Sequence, residues 1–167
     1  MISYLFGFVG YLVMLMLQLS VFSQWKILAG SADLLLLFVI AWCLHDRSKY
    51  LWLLVLFFVG LTNFASALPV YIPLIVYLGV YFVSRQIQAR IWQTPLLGML
   101  VLTFAASLVQ SALTLGTIFV QRVDVTFADA LNRITLPSLL LNMLLAIPVH
   151  ALVRELAYYA FPKGVEA

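Results

Sequence analysis

The chain has 167 residues, of which 65% are hydrophobic and 9% are charged, and its formal net charge is +3. A soluble domain carries about 25% charged residues, so this composition argues against a water-soluble globular protein. The basic residues are scattered along short connections, which is not the clustered pattern of a nucleic-acid-binding surface. The single cysteine, Cys43, excludes an internal disulfide.

Long uncharged stretches indicate a chain built for lipid. The longest runs from Tyr50 to Ser84, and a charge at the bilayer centre costs about 2.5–3.5 kcal/mol on insertion scales. One span takes roughly 20 residues, so this stretch predicts two spans joined by an uncharged turn. We therefore expect an all-α, polytopic membrane helix bundle that forms a single domain over residues 1–167.

Six transmembrane helices are predicted in chain order. The first lacks a basic leader and a small-residue cleavage site, so we expect an uncleaved helix rather than a signal peptide. The second is strongly apolar only over Leu34–Leu44, which leaves a five-span alternative in which this segment only dips into the membrane. Asn63, Ser66 and Pro69 predict the turn between the third and fourth helices. The predicted helices cover about 2–23, 27–44, 50–66, 69–87, 95–120 and 136–159.

The distribution of Lys and Arg favours both termini on the inside. Cytoplasmic connections carry an excess of basic residues. The predicted inner set is Arg47, Lys49, Arg85, Arg90, Arg154 and Lys163, and the outer set is Lys26, Arg122 and Arg133. Four tryptophans fall at predicted helix ends, where amphipathic rings prefer to lie: Trp25, Trp42, Trp52 and Trp92. The connection Gln121–Arg133 fits either a short amphipathic surface helix or an ordinary loop.

The predicted fifth helix carries a polar stripe along one face. Groups of this kind need partners in lipid. Three interpretations remain open: hydrogen bonds between packed helices, a ligand-lined cavity, and a docking face for another chain's helix. The stripe consists of Thr103, Ser107, Gln110, Thr114, Thr117 and Gln121, with Ser111 beside it. Ser3, Gly7 and Gly10 on the first helix are an alternative docking face.

Two polar residues elsewhere are candidate contact residues. Asp33 stands just ahead of four leucines, so we expect it to cap the N-terminus of the second helix, with ion binding as the alternative. Asn142 lies inside the sixth helix, where we expect it to bond to another helix or to a partner. Pro148 predicts a kink further along that helix.

Patterns typical of catalysis or metal binding are missing from the sequence. His45 and His150 lack the spacing and the neighbouring acids of a metal site. Hydrolase, metalloprotease and phosphate-loop motifs are not found. The predicted spans place no acid or lysine at mid-depth, as a pump would. We therefore expect no enzyme activity and no cofactor. The functions that remain are a scaffold, an assembly subunit or a binder of neutral ligands.

Three segments of the sequence form a recognisable combination with the size and the six-helix hydropathy. The first segment is Leu17-Gln18-Leu19-Ser20-Val21-Phe22 followed by Gly30-Ser31-Ala32-Asp33 and a leucine run. The second is Gly60-Leu61-Thr62-Asn63 followed by Ser66, and the third is Pro137 to Arg154 with Asn142 and Pro148. Over nearly the whole chain, these features resemble the bacterial rod shape-determining protein MreD family. Ala32 stands where the family often has Pro, and Asn63 stands where it often has Asp.

The resemblance implies a non-enzymatic membrane scaffold of the cell-elongation complex. MreD proteins lie in the cytoplasmic membrane with MreC, and the complex also contains MreB, RodA and a class B penicillin-binding protein. The family is similar in fold to the substrate-capturing subunits of energy-coupling-factor vitamin transporters. The alternative expectation is therefore a vitamin-capturing subunit, with a pocket that opens to the outside.

Overall fold

A computed structural model describes residues 2–22, 32–45, 48, 50–66, 69–90, 95–121 and 131–160. Regular structure within these ranges is entirely helical, which confirms the predicted all-α fold. Two π-helical turns adjoin α-helices: π1 (Gln18–Phe22) follows the first, and π2 (Leu131–Thr135) precedes the last. The six α-helices are α1 (Ile2–Leu17), α2 (Leu34–His45), α3 (Leu51–Ala65), α4 (Tyr71–Arg90), α5 (Pro95–Val120) and α6 (Leu136–Ala160).

Helix α2 forms the centre of the bundle. Every side chain from Leu34 to Cys43 is buried, and the helix contacts each of the other five helices. A helix that is apolar on all faces has no side to present to solvent, so it packs in the interior. Its 12 residues make it about 18 Å long at 1.5 Å per residue.

The helices alternate in direction around α2. The ends of α1, α3 and α5 meet the starts of α2 and α6 around one cavity, and we call this side of the molecule the cavity end. At the opposite end, the Arg85 guanidinium on α4 donates to the Ser48 carbonyl, and Gly98 near the start of α5 faces Leu44. Consecutive helices therefore run up and down.

The outward faces of the helices are as apolar as the core. On α1, Leu5, Val9, Val13 and Met16 follow one face and are between 50% and 69% exposed. Phe57, Phe82, Val101 and Leu144 continue this surface on α3, α4, α5 and α6. Within the described part of the chain, two helices, Leu96–Val120 and Leu136–Ala160, are long and apolar enough to cross a membrane.

The structure differs from the predicted elements mainly near α2. Ala32 and Asp33 are not helical, so α2 begins at Leu34 rather than near residue 27, and residues 23–31 lie outside the described part. Trp42 lies in the last turn of α2, near a helix end as predicted, and its side chain is fully buried in the bundle. Trp25, Trp92 and residues 122–130 of the predicted surface helix or loop also lie outside the described residues.

Candidate functional site

A polar cavity of about 280 Å³ lies at the cavity end, above the N-terminus of α2. Because α2 is short and begins only at Leu34, the longer helices around it leave this space open beyond its first turn. Three features predicted from the sequence meet at this cavity: Asp33, Asn142 and the middle of the α5 stripe. Its polar lining is Gln18, Asp33, Ser66, Ser107, Gln110, Ser111, Thr114, Thr135, Ser138 and Asn142.

Asp33 is the centre of the hydrogen bonds at this end. Its Oδ1 accepts the backbone N–H of Leu36 at 2.9 Å, which is the N-cap geometry. Its Oδ2 accepts a hydrogen bond of 2.8 Å from Gln110 Nε2 on α5. The positive end of the α2 dipole adds a favourable interaction with the carboxylate. Asp33 thus stabilises α2 and links it to α5.

Asn142 joins three helices at one point. Its Oδ1 accepts the backbone N–H of Asp33 at 2.8 Å, and its Nδ2 donates to Ser107 Oγ at 3.0 Å. Asn142 and Ser107 are both buried, so these bonds replace water for groups that would otherwise be unsatisfied. The contact fixes α6 against both α2 and α5.

Gln18 completes the set, although it is not among the sequence-predicted site residues. Its Oε1 accepts the N–H of Leu34 at 2.8 Å, and its Nε2 donates to the Ala32 carbonyl at 2.9 Å. The α1 helix widens into π1 at this residue. The sequence contains one signal that could have identified Gln18: it is an amide side chain at the end of an apolar helix, and polar groups have few partners in lipid.

The α5 stripe serves more than one purpose. Thr103 is fully buried, and its Oγ1 has no hydrogen-bond partner among the described residues. Ser107 and Gln110 bond to other helices, as described above. The Thr114 and Thr117 hydroxyls donate to carbonyls of α5 itself, at 2.9 Å to Gln110 and 2.7 Å to Thr114. Helix contacts and cavity lining are therefore combined on one face.

A second cavity of about 120 Å³ shares Gln18, Asp33, Ser66 and Gln110 with the first. Three buried hydroxyls are clustered beside it. Thr62 Oγ1 donates to the Phe58 carbonyl at 2.8 Å and lies 3.2 Å from the Tyr77 hydroxyl, while the Tyr11 hydroxyl bonds to Thr62 and to Phe58. This hydroxyl cluster ties α1, α3 and α4 together.

Gly7 and Gly10 do not form an open docking face. A Cβ at Gly7 would lie 2.9 Å from the Trp42 ring, and one at Gly10 would lie 2.8 Å from Leu156 Cδ2. Both glycines are used for close packing inside the bundle, so the docking interpretation of this face was wrong for them. The Ser3 side chain lies outside the described residues.

The two histidines meet at the end of the bundle opposite the cavity. Their ring centroids are 5.2 Å apart, and His45 Nδ1 lies 2.8 Å from the Ala41 carbonyl. The chemistry assembled at the cavity end is different: its described lining residues supply one carboxylate, three amides and several hydroxyls. Such groups bind polar molecules and hold helices together.

Compared with known proteins, the chain matches no family model, no curated protein and no solved structure.

Proposed function

We propose that the chain is a multi-pass protein of the bacterial cytoplasmic membrane, with six spans and both termini inside. The apolar outward faces carry this proposal. Soluble monomers rarely expose apolar patches larger than a few hundred Å², whereas here five helices each present large apolar side chains outward. In this orientation the cavity opens towards the outside of the cell.

The short α2 is compatible with this arrangement. A hydrocarbon core of about 30 Å exceeds the length of α2, but non-helical backbone at membrane depth is tolerated where protein surrounds it. The N–H groups of Asp33, Leu34 and Leu36 all have side-chain acceptors. A buried central segment of this kind supports six helices in the membrane rather than a second helix that dips from the surface.

Single-cysteine labelling tests the topology. Cys43 is buried, and Cys43→Ala gives a background without thiols. Arg47→Cys and Asp124→Cys then place one thiol in the second and fifth connections of the six-span order. An impermeant maleimide on intact cells is expected to label position 124 and not position 47. Labelling of both positions, or of 47 alone, contradicts the proposed orientation.

Within this membrane, we propose a non-enzymatic scaffold of the MreD type that holds the membrane helix of MreC. The resemblance over the three sequence segments supports it, and so does the use of the polar side chains. Asp33, Asn142 and Gln110 bond mainly to one another and to helix ends, which is the pattern of groups that hold a bundle in one shape. A fixed bundle with apolar outer faces suits the positioning of a partner helix. RodA, the class B penicillin-binding protein and MreB would associate directly or through MreC.

Co-purification tests the scaffold. The tagged chain is expressed with MreC from the same genome, and recovery of MreC in detergent is measured. The control is an MreC in which an unrelated membrane helix replaces its own. The scaffold proposal expects recovery of native MreC and loss of the control; equal recovery of both, or of neither, contradicts it. Neighbouring genes for MreB and MreC would add independent support.

The cavity favours a second candidate function, a substrate-capturing subunit of a vitamin transporter. Its volume of about 280 Å³ falls just below the roughly 300–1,000 Å³ of pockets for drug-sized ligands. Several of its polar groups already bond to one another, which leaves the scaffold as the better-supported proposal. Mass spectrometry of organic molecules released from the purified chain distinguishes the two: a stoichiometric vitamin supports capture.

A further inference from the structure

The two cavities at the cavity end share part of their polar lining. Gln18, Asp33, Ser66 and Gln110 line both of them. Two of these shared residues are joined by the hydrogen bond of 2.8 Å from Gln110 Nε2 to Asp33 Oδ2. A ligand that reaches Asp33 from the larger cavity therefore lies directly beside the smaller one.

The charge of the lining selects the ligand. Asp33 is the only charged side chain among the described residues that line either cavity. A carboxylate has about four acceptor positions on its two oxygens, and Leu36 and Gln110 occupy two of them. The remaining capacity favours a ligand that brings hydrogen-bond donors and positive charge.

The volume of the larger cavity further limits which ligands fit it. At about 280 Å³, it is far larger than the ~30 Å³ that one water molecule occupies in the liquid. The described residues contain no group of three or more His, Cys, Asp or Glu side chains that could hold a metal ion. A small organic cation fits this space, because its uncharged part can contact the hydroxyls of Ser111 and Thr114 that line the same cavity.

The backbone gives an independent indication at the same place. Gln18 is the first residue of π1 and Thr135 is the last residue of π2, and both line the larger cavity. Single π-helical turns are rare and occur frequently at functional sites. Both π-turns of the described chain thus adjoin the cavity that contains the carboxylate.

We propose that this cavity is a binding site for a small organic ammonium ligand, with its charged nitrogen on Asp33 Oδ2. Gln110 is a positioning residue that orients the carboxylate. The site depends on the cavity and not on MreC, so it goes beyond the scaffold role and can fail or succeed independently of it.

Thermal unfolding of the detergent-purified full-length chain tests the site. The probes are methylammonium, ethanolamine and putrescine as chloride salts, each compared with NaCl at the same ionic strength and with ethylene glycol as the uncharged counterpart of ethanolamine. At least one ammonium probe is expected to raise the Tm with a saturating dose response, and ethylene glycol is not. If none of the three shifts the Tm beyond NaCl, the proposal is overturned.

Variants then locate the binding. Asp33→Asn keeps a good N-cap oxygen but removes the charge, so the apparent Kd of the active probe is expected to weaken about tenfold or more. Glu155→Gln removes the same charge from an exposed position on α6 and is the matched control, expected to bind as the native chain does. Ser111→Leu fills the cavity without changing charge and is expected to weaken binding as well. This variant tests the site if Asp33→Asn does not fold. Native affinity in Asp33→Asn, or in Ser111→Leu where Asp33→Asn is unfolded, would refute the site.

Discussion

Gln18 and Gln88 bond to opposite ends of the same helix from two different neighbours. Gln18 on π1 accepts from the N–H of Leu34 at the start of α2, and Gln88 on α4 donates to the carbonyls of Cys43 and Leu44 at its end, at 2.8 and 3.0 Å. The first N–H groups and last carbonyls of a helix have no partners within it. In the interior of a bundle those groups need side chains from other helices, and the two glutamines supply them.

Loss of the Gln88 amide should therefore destabilise the bundle. Gln88→Met keeps the length of the side chain but leaves the carbonyls of Cys43 and Leu44 without this donor. Unsatisfied buried polar groups cost about 1–3 kcal/mol, so a decrease of that size in the free energy of unfolding is expected in detergent. Gln86→Met, two residues away on an exposed position, is the control and should change little. Equal stability of the two variants would contradict the assigned role of Gln88.

The sequence was sufficient to predict the all-helical fold and most helix ends, because both depend mainly on where charges fall and on the length of the apolar runs. The predicted fifth helix has the bounds of α5, and Pro95 lies at its first residue as expected. The start of α2 was placed too early, although the predicted N-cap at Asp33 points to the observed start at Leu34. The partners of Gln18 are 14 and 16 residues away in sequence, and those of Tyr11 are 47 and 51 residues away, so only the three-dimensional packing brings them together.

Asn142 on α6 is expected to stabilise the bundle through its two hydrogen bonds to other helices. Asn142→Leu removes both the acceptor for the Asp33 N–H and the donor to Ser107. With the part-buried N–H of Asp33 and the buried Ser107 hydroxyl left without this partner, we expect a loss of about 1–3 kcal/mol in the free energy of unfolding. Leu140→Ala, on an exposed position of the same helix, tests whether any α6 substitution has this effect. A stable Asn142→Leu protein would show that the three-helix contact is dispensable.

Glycine positions on α1 and α3 should respond in opposite directions to the same substitution. At Gly7 an added Cβ meets the Trp42 ring at 2.9 Å, and that ring is fully buried against Phe38 and cannot move aside freely. Overpacking typically costs about 1–3 kcal/mol, so Gly7→Ala is expected to lower the Tm. At Gly60 nothing lies within 4 Å, and Gly60→Ala should be neutral or should raise stability by about 0.5–1 kcal/mol through helix propensity. A Gly7→Ala chain as stable as Gly60→Ala would be inconsistent with close packing of α1 on α2.

The buried hydroxyls of Tyr11, Thr62 and Tyr77 should act as one unit. Tyr11→Phe removes the donor to the Phe58 carbonyl, and Thr62→Val removes the hydroxyl that both tyrosines contact while keeping a similar shape. Each change alone should cost about 0.5–1.5 kcal/mol in the free energy of unfolding. Because the two groups contact each other, their effects should not add.

A double-mutant cycle in detergent measures this coupling directly. Residues that share a hydrogen-bond network show interaction energies of about 0.5–3 kcal/mol, so the Tyr11→Phe, Thr62→Val double variant should be less destabilised than the sum of its parts. Tyr158→Phe, at an exposed position of α6, supplies a cycle with Thr62→Val in which no coupling is expected. Additive effects in both cycles would mean that the hydroxyl contacts do not contribute jointly. The packing of aromatic rings, such as the stacked Tyr11 and Phe58 rings with centroids 4.0 Å apart, would then hold α1 against α3.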